Sequence, residues 1–193
     1  MASNKFYDNP LSNDIIKNMS SDEWYDLLIS HKQYISRVPS YIKQQFTIYQ
    51  VFKLIMMNIV PIKGEYWYDI SKFNKNQWIT MLTTDYVNCF IEMIPDDILS
   101  IFDNDDWYKI IMFDHLPLQN KVSIKYIRSV LFTKEQYYDL LKSTYFNIDY
   151  IPQNIINEFS NNELKEILEI FINEGVYDKS INKIKDILNI NNR

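Results

Sequence analysis

The fold is decided by a short stretch that recurs along the chain, and its clearest form is Phe132-Thr133-Lys134-Glu135-Gln136-Tyr137. A large apolar residue precedes a side chain that accepts hydrogen bonds. Two unconstrained positions follow, then a carboxylate or amide side chain, and then a bulky apolar residue. The acceptor suits the N-cap of a helix, and the residue three positions later can reach back to the N-cap backbone. The stretch therefore predicts a capping box at the start of a helix.

The same pattern occurs six times, and the acceptors follow one another at intervals of 27, 27, 29, 30 and 27 residues. The other instances are Met19-Ser20-x-x-Glu23-Trp24, Phe46-Thr47-x-x-Gln50-Val51, Phe73-Asn74-x-x-Gln77-Trp78, Phe102-Asp103-x-x-Asp106-Trp107 and Phe159-Ser160-x-x-Glu163-Leu164. In each, the apolar residue before the cap is placed to pack against the one that closes the stretch, a hydrophobic staple. Boxes at nearly constant spacing predict a helical repeat.

Each box opens an amphipathic helix, because an apolar pair follows the stapled residue at helical spacing. The pairs are Leu27/Leu28, Leu54/Ile55, Met81/Leu82, Ile110/Ile111, Leu140/Leu141 and Ile167/Leu168. A shorter second helix is clearest where proline suits its first turn, at Pro39, Pro95 and Pro152. Its counterparts near residues 69–73, 124–132 and 181–188 lack proline.

These patterns predict an all-α fold, a solenoid of about six helix–loop–helix repeats of 27–30 residues in one domain over residues 1–193. The repeats are predicted to start near residues 20, 47, 74, 103, 133 and 160. An N-terminal half-repeat is expected to form a cap helix over 11–19, and residues 189–193 a polar tail.

The amino-acid composition and net charge argue against several classes of protein. Of the 193 residues, 47% are hydrophobic and 23% charged, which is typical of a globular chain. A net charge of −5 argues against a general nucleic-acid binder. The single cysteine, Cys89, excludes an internal disulfide framework and favours a reducing compartment. The apolar stretch 52–60 is too short to cross a bilayer, and residues 1–19 lack the order of a signal peptide. We therefore expect a cytoplasmic protein without a membrane segment.

The candidate chemical groups do not form a recognisable catalytic set. His31 and His115 lie in different repeats, and Cys89 lies in an apolar stretch where an inert buried thiol is expected. Two glycines, Gly64 and Gly175, cannot build a glycine-rich phosphate loop. Five clustered aspartates are explained by helix capping and by the preference of acidic side chains for helix N-termini, namely Asp96, Asp97, Asp103, Asp105 and Asp106. We predict no catalytic, cofactor or metal site, although a hydrolase with dispersed catalytic residues remains open.

Aromatic residues make up 16% of the chain and suggest how it recognises a partner. The residue after each stapled position is Tyr25, Phe52, Ile79, Tyr108, Tyr138 or Lys165. This stripe either packs between neighbouring hairpins or lines an exposed surface, and we favour packing. With Tyr66 and Trp67 of an interhelical loop, the four aromatic members form the candidate interaction surface. The sequence thus favours a non-enzymatic protein–protein interaction module, monomeric or weakly self-associating.

An alternative function rests on a basic strip with an interleaved aromatic residue, Tyr126. Its members are Lys121, Lys125, Arg128 and Lys134. Such a strip, with loop aromatics for stacking, would suit an RNA-associated adaptor that binds single-stranded RNA. On an acidic chain a solvated helix face explains the same residues, so this is the second hypothesis.

Two segments carry a resemblance to a known class of protein: Ile94-Pro95-Asp96-Asp97-Ile98 and Tyr150-Ile151-Pro152-Gln153-Asn154-Ile155. With the repeat and the Ile-, Asn- and Tyr-rich composition, the chain resembles the short helical-repeat proteins of A/T-rich giant DNA viruses. The resemblance implies a binding role, such as a viral scaffold, adaptor or inhibitor in the host cytoplasm, and assigns no functional residue. Residues 94–111 also look like an F-box, but their positions in the repeat account for them.

Overall fold

The structure is a computed structural model that describes residues 13–62, 68–84, 87, 89, 91–113, 130–143, 146–175 and 178–191. The described residues form helices and turns, and no strand occurs among them, which confirms the predicted all-α class. Within these residues no helix has the length and apolar character required to cross a bilayer.

In the described part of the chain, the α-helices that follow a capping box have 8 to 13 residues, the last helix has 14, and the others have four or five. They are α1 Asn13–Lys17, α2 Ser21–Ser30, α3 Ser40–Lys43, α4 Ile48–Met56, α5 Lys75–Leu82, α6 Asp96–Leu99, α7 Asn104–Phe113, α8 Lys134–Lys142, α9 Gln153–Ile156, α10 Asn161–Asn173 and α11 Asp178–Asn191. Short 3₁₀ helices cover Lys32–Arg37, Ile70–Lys72, Ile91–Met93 and Ile148–Tyr150.

All six predicted capping boxes lie within the described residues, and all are reciprocal. In each, the capping side chain accepts a hydrogen bond from the backbone N–H three residues later. The later side chain accepts one from the capping residue's own N–H, and the distances range from 2.7 to 3.3 Å. The pairs are Ser20/Glu23, Thr47/Gln50, Asn74/Gln77, Asp103/Asp106, Thr133/Gln136 and Ser160/Glu163. Each box satisfies two backbone donors that a helix start would otherwise leave open.

The staple residues on either side of the caps are buried in every repeat. Those ahead of the caps expose at most 9% of their surface, and those after the boxes at most 7%. The rings of Phe102 and Trp107 lie 5.5 Å apart, and those of Phe132 and Tyr137 lie 5.3 Å apart. The apolar pairs further along each helix are also buried, except that Leu168 is half-buried. With that exception, the positions that the periodicity predicts to be buried therefore lie in the core.

The second helices depart from the sequence prediction. Pro39, Pro95 and Pro152 are the N-cap residues of α3, α6 and α9 rather than first-turn residues. A 3₁₀ helix precedes each of these one-turn helices. At 69–73 the second helix is only the 3₁₀ segment Ile70–Lys72.

The helices at the two ends of the chain also differ in extent from the prediction. The described part of the predicted cap helix 11–19 is α1, which covers Asn13–Lys17. At the other end, the predicted short helix at 181–188 lies inside the 14-residue helix α11, which continues to Asn191 and so into the predicted tail. Gly175, at φ 67°, follows the C-cap of α10 in the left-handed conformation that glycine favours at helix ends. Most of the predicted helix at 124–132 lies outside the described residues.

The chain divides into two compact units. Among the described residues, the first holds α1 to α4, the beginning of α5 and Val87, and the second holds the remainder. In the first unit α2 packs against α4. In the second unit α8 packs against both α7 and α10, and α10 packs against α11. Within each unit, helices that open with capping boxes are therefore neighbours.

Candidate interaction surface

The tyrosines of the predicted aromatic stripe in the second unit join neighbouring helices. The Tyr108 hydroxyl donates a hydrogen bond to Asp139 Oδ2 at 3.1 Å, and the Tyr138 hydroxyl donates one to Glu166 Oε2. Each tyrosine lies five residues after its cap, and each acceptor lies six residues after the next cap. Both rings are half-buried. In these two repeats the stripe residue therefore lies between neighbouring long helices.

Tyr138 lies in a small charged network. Lys142 forms a salt bridge with Glu166 at 2.9 Å, and its Nζ lies 4.9 Å from the centre of the Tyr138 ring. The hydrogen bond to Glu166 raises the pKa of Tyr138 to about 12, because ionising the phenol would place two anions together. The same bond, helped by Lys142, lowers the pKa of Glu166 from its ordinary value. The network thus favours a neutral tyrosine beside a charged carboxylate.

The stripe residues of the first unit are also half-buried. The Phe52 ring meets the Phe73 ring edge to face at 6.2 Å. Burial is the largest cause of the raised pKa of Tyr25, and neighbouring Tyr49 adds to it. The remaining two residues of the candidate surface, Tyr66 and Trp67, lie outside the described residues.

The predicted basic strip is described only at Lys134. Its ammonium forms a salt bridge with Glu163 at 3.0 Å and lies 5.8 Å from the centre of the Phe159 ring. This cation is therefore engaged by the next repeat. The other three residues of the strip, Lys121, Lys125 and Arg128, lie outside the described residues.

A second kind of bridge, which the sequence analysis did not predict, connects the capping boxes themselves. The Gln50 side-chain amide donates to Asp22 Oδ1 at 2.7 Å, and that of Gln136 donates to Asp105 Oδ1 at 3.0 Å. Each glutamine also accepts the N–H of its own capping residue. Each glutamine side chain thus caps the start of its own helix and also hydrogen-bonds to the preceding long helix. In the sequence, an Asp two residues after one cap is followed by a Gln three residues after the next cap. This recurrence could have indicated the bridge.

Several large apolar side chains are exposed among the described residues, and Ile101 and Leu131 are two of them. Ile101 is 57% exposed and Leu131 is 69% exposed. Both lie two residues before a cap, at the same position of adjacent boxes. The other repeats carry polar residues there, namely Asn18, Gln45, Lys72 and Glu158. This pair was not predicted from the sequence, although a comparison of the residues two positions before each cap could have revealed it.

The groups considered for catalysis do not come together in the described residues. Cys89 is fully buried. His31 is half-buried, with its ring 6.2 Å from that of Tyr34, and His115 lies outside the described residues. Across the described ranges, no three His, Cys, Asp or Glu side chains form a group that could hold a metal ion.

Comparison with known proteins supplies no relative. No family model, curated protein or solved structure matches the chain.

Proposed function

We propose that the chain is a non-enzymatic protein–protein interaction module, built as an α-solenoid of about six helix–loop–helix repeats. The repeated architecture is supported by the six reciprocal capping boxes and by the side-chain bridges between consecutive long helices. Arrays of this kind offer an extended surface and suit recognition of another macromolecule.

The observation that carries the proposal is the exposure of Ile101 and Leu131 at one repeat position. Single exposed apolar residues are ordinary on a protein surface. Ile101 and Leu131 stand at the same position relative to successive caps, where the other repeats carry polar residues, and exposed apolar area is typical of interaction sites. We call these two residues the apolar pair.

We further propose that the protein is a scaffold, adaptor or inhibitor of viral origin that acts in the host cytoplasm as a monomer or weak homo-oligomer. The resemblance of its repeats to those of giant DNA viruses supports the viral origin. The single cysteine supports a reducing compartment.

Photo-crosslinking in living cells tests the interaction role. The full chain would carry p-benzoylphenylalanine in place of Leu131, and a matched chain would carry it in place of Ile172, which is 53% exposed in the same unit. We expect a protein adduct from position 131 that is absent at position 172. RNA adducts without protein adducts would support the RNA-adaptor alternative and contradict the proposal, as would equal labelling from both positions.

A further inference from the structure

The two compact units carry formal charges of opposite sign. The first holds nine lysine and arginine residues against seven acidic ones, and the second holds eleven against eighteen, so their charges are +2 and −7. The positive charge of the first unit is concentrated in one stretch. Residues 27–64 contain five lysine and arginine residues and no aspartate or glutamate. An acidic chain therefore contains a long segment that is purely basic.

The 3₁₀ helix Lys32–Arg37 lies in this segment and packs against α2. Lys32 and Arg37, at its two ends, are exposed and stand about 10 Å apart along its axis. The guanidinium carbon of Arg37 lies 5.6 Å from the centre of the Tyr34 ring. A cation thus lies over an aromatic face near the surface.

Tyr41 continues this surface in α3. Its side chain is 51% exposed, and it follows Arg37 by four residues, so the two Cα atoms are at most about 14 Å apart. Its hydroxyl donates a hydrogen bond to the Lys17 carbonyl at 3.2 Å, which places the last residue of α1 beside α3. The Lys17 side chain is also exposed. We call the five residues Lys17, Lys32, Tyr34, Arg37 and Tyr41 the basic patch.

The acidic residues of α1 and α2 precede the basic segment in the chain. Asp22 accepts a hydrogen bond from the Gln50 amide at 2.7 Å, and Glu23 accepts one from the N–H of its own capping residue at the same distance. The other two acids are Asp14 and Asp26. Two of the four acids are therefore engaged within the unit.

The flanking segments outside the described residues bring no excess of acid. Residues 1–12 contain one lysine and one aspartate, and residues 63–67 contain one lysine and one glutamate. Each of these segments therefore has a net side-chain charge of zero.

We propose that the basic patch binds an acidic segment of a partner protein. The inference rests on the proposed function and specifies the chemistry of the partner. Carboxylates of the partner would pair with Lys17, Lys32 and Arg37, and charge complementarity of this kind guides association and selects the partner. Tyrosine and arginine are enriched among the residues that dominate binding at protein interfaces, and the patch interleaves both.

The charge of the whole chain distinguishes this partner from a nucleic acid and from a second copy. The affinity of RNA for a protein comes mainly from phosphates that are neutralised by cations, and the patch supplies three cations. A net charge of −5 repels a long polyanion and also repels an identical chain. A short acidic segment of a protein requires only the patch itself.

Fluorescence anisotropy with the full chain tests the proposal. The probe is a short labelled peptide in which glutamates alternate with serines, and its control carries glutamine in place of each glutamate. The patch variant is Lys32→Gln with Arg37→Gln. The matched control is Lys165→Gln with Lys185→Gln, which changes the net charge equally at two exposed lysines of the second unit.

We expect the glutamate peptide to bind the parent and the matched control equally at low salt. The patch variant should bind it about tenfold more weakly, because two charged contacts are lost. The glutamine peptide should not bind. Added salt should weaken the binding of the glutamate peptide, because the contacts are screened.

Amide NMR of the unsubstituted chain gives a readout that does not depend on the folding of any variant. Signals of residues 32–41 should shift when the glutamate peptide is added, while those of α10 stay in place. The proposal is overturned if the peptide does not bind, if the patch variant binds it as the parent does, or if the shifts fall elsewhere. Tighter binding of a uridine RNA of the same length would assign the patch to nucleic acid and overturn it. Self-association that the patch variant abolishes would assign the patch to a second copy, with the same consequence.

Failure here is distinguishable from failure of the proposed function. A protein adduct at position 131, together with no binding of the glutamate peptide, would retain the interaction module and reject the acidic partner. Absence of both the adduct and peptide binding would reject both. Peptide binding at the basic patch without an adduct at position 131 would reject the apolar pair as the contact site and support the basic patch.

Discussion

The Tyr108 hydroxyl donates a hydrogen bond of 3.1 Å to Asp139 and so joins α7 to α8. One repeat later Tyr138 bears the same relation to Glu166 and joins α8 to α10. The bond recurs at equivalent positions, so the two pairs of neighbouring helices are joined in the same way. The aromatic stripe thus has an internal role in this unit.

A double-mutant cycle of Tyr108→Phe and Asp139→Asn tests this bond. We expect a coupling free energy of about 0.5 kcal/mol, since hydrogen-bonded pairs near the surface contribute little each. Urea unfolding of the parent, both single variants and the double variant measures it. Strictly additive effects would show that the two side chains do not interact.

Tyr138 should titrate later than an ordinary tyrosine. Its hydrogen bond to Glu166 raises its pKa from 10.0 to about 12. Glu166→Gln removes the charge that opposes phenolate formation, so the pKa of Tyr138 should fall toward 10 in that variant. The ring-carbon NMR shift of Tyr138, assigned with Tyr138→Phe, follows the titration. The same pKa in parent and variant would exclude the bond.

The boxes and staples could be predicted from the sequence because they are local. Ser160 and Glu163 are only three residues apart, so the geometry of their box is set by the local backbone. The bridge from Gln136 to Asp105 spans 31 residues and depends on how α7 and α8 pack, so the recurrence of Asp and Gln after successive caps indicates it only if the two helices are neighbours. The predicted packing of the aromatic stripe followed from its recurrence, whereas its acidic acceptors could not be identified without the packed helices.

The second helices were harder to predict because 3₁₀ segments resemble helix starts in sequence. Asp69 and Asn147 accept hydrogen bonds from the backbone N–H two residues later, at 3.0 and 2.8 Å, and so open 3₁₀ turns. Aspartate and asparagine favour turns and helix caps for the same reason. The exposed Ile101 and Leu131 were missed because apolar residues beside a staple look like core.

Acid should weaken the attachment of the C-terminal helix. Asp149 accepts hydrogen bonds from Lys179 at 2.7 Å and from Lys183 at 3.0 Å, and these bonds lower its pKa from 3.8. Because the folded state favours the carboxylate, its stabilisation is present above the unfolded pKa and is lost as the pH falls through the lowered folded pKa. We expect Asp149→Asn to unfold at a lower temperature than the parent near neutral pH, and the two to converge in acid.

The matched control for this prediction is Asp186→Asn, which alters an exposed carboxylate on the same C-terminal helix. Thermal unfolding followed by circular dichroism at a series of pH values measures all three chains. A pH dependence shared equally by the parent and Asp149→Asn would contradict the assignment.

Because Trp107 is a buried staple residue, we expect its truncation to lower the free energy of unfolding strongly. This side chain is 7% exposed, and its ring lies 5.5 Å from that of Phe102. Trp107→Ala removes a core aromatic and leaves a cavity, which should lower the free energy of unfolding by about 3–5 kcal/mol. Denaturant unfolding measures the loss, and Ile172→Ala, at an exposed position, should change it by less than about 0.5 kcal/mol. Coincident midpoints for Trp107→Ala and the parent would place Trp107 outside the core.

The central claim is that the same capping box recurs along the chain. Amide hydrogen exchange at the third residue of each helix that follows a box tests this claim most directly. In an uncapped helix this N–H has no partner and exchanges rapidly. The account predicts slowed exchange at the amides that the six caps hold, namely Glu23, Gln50, Gln77, Asp106, Gln136 and Glu163, and rapid exchange at Gln136 in Thr133→Ala. Exchange at these six amides as fast as that of Gln136 in Thr133→Ala would contradict the recurring capping arrangement.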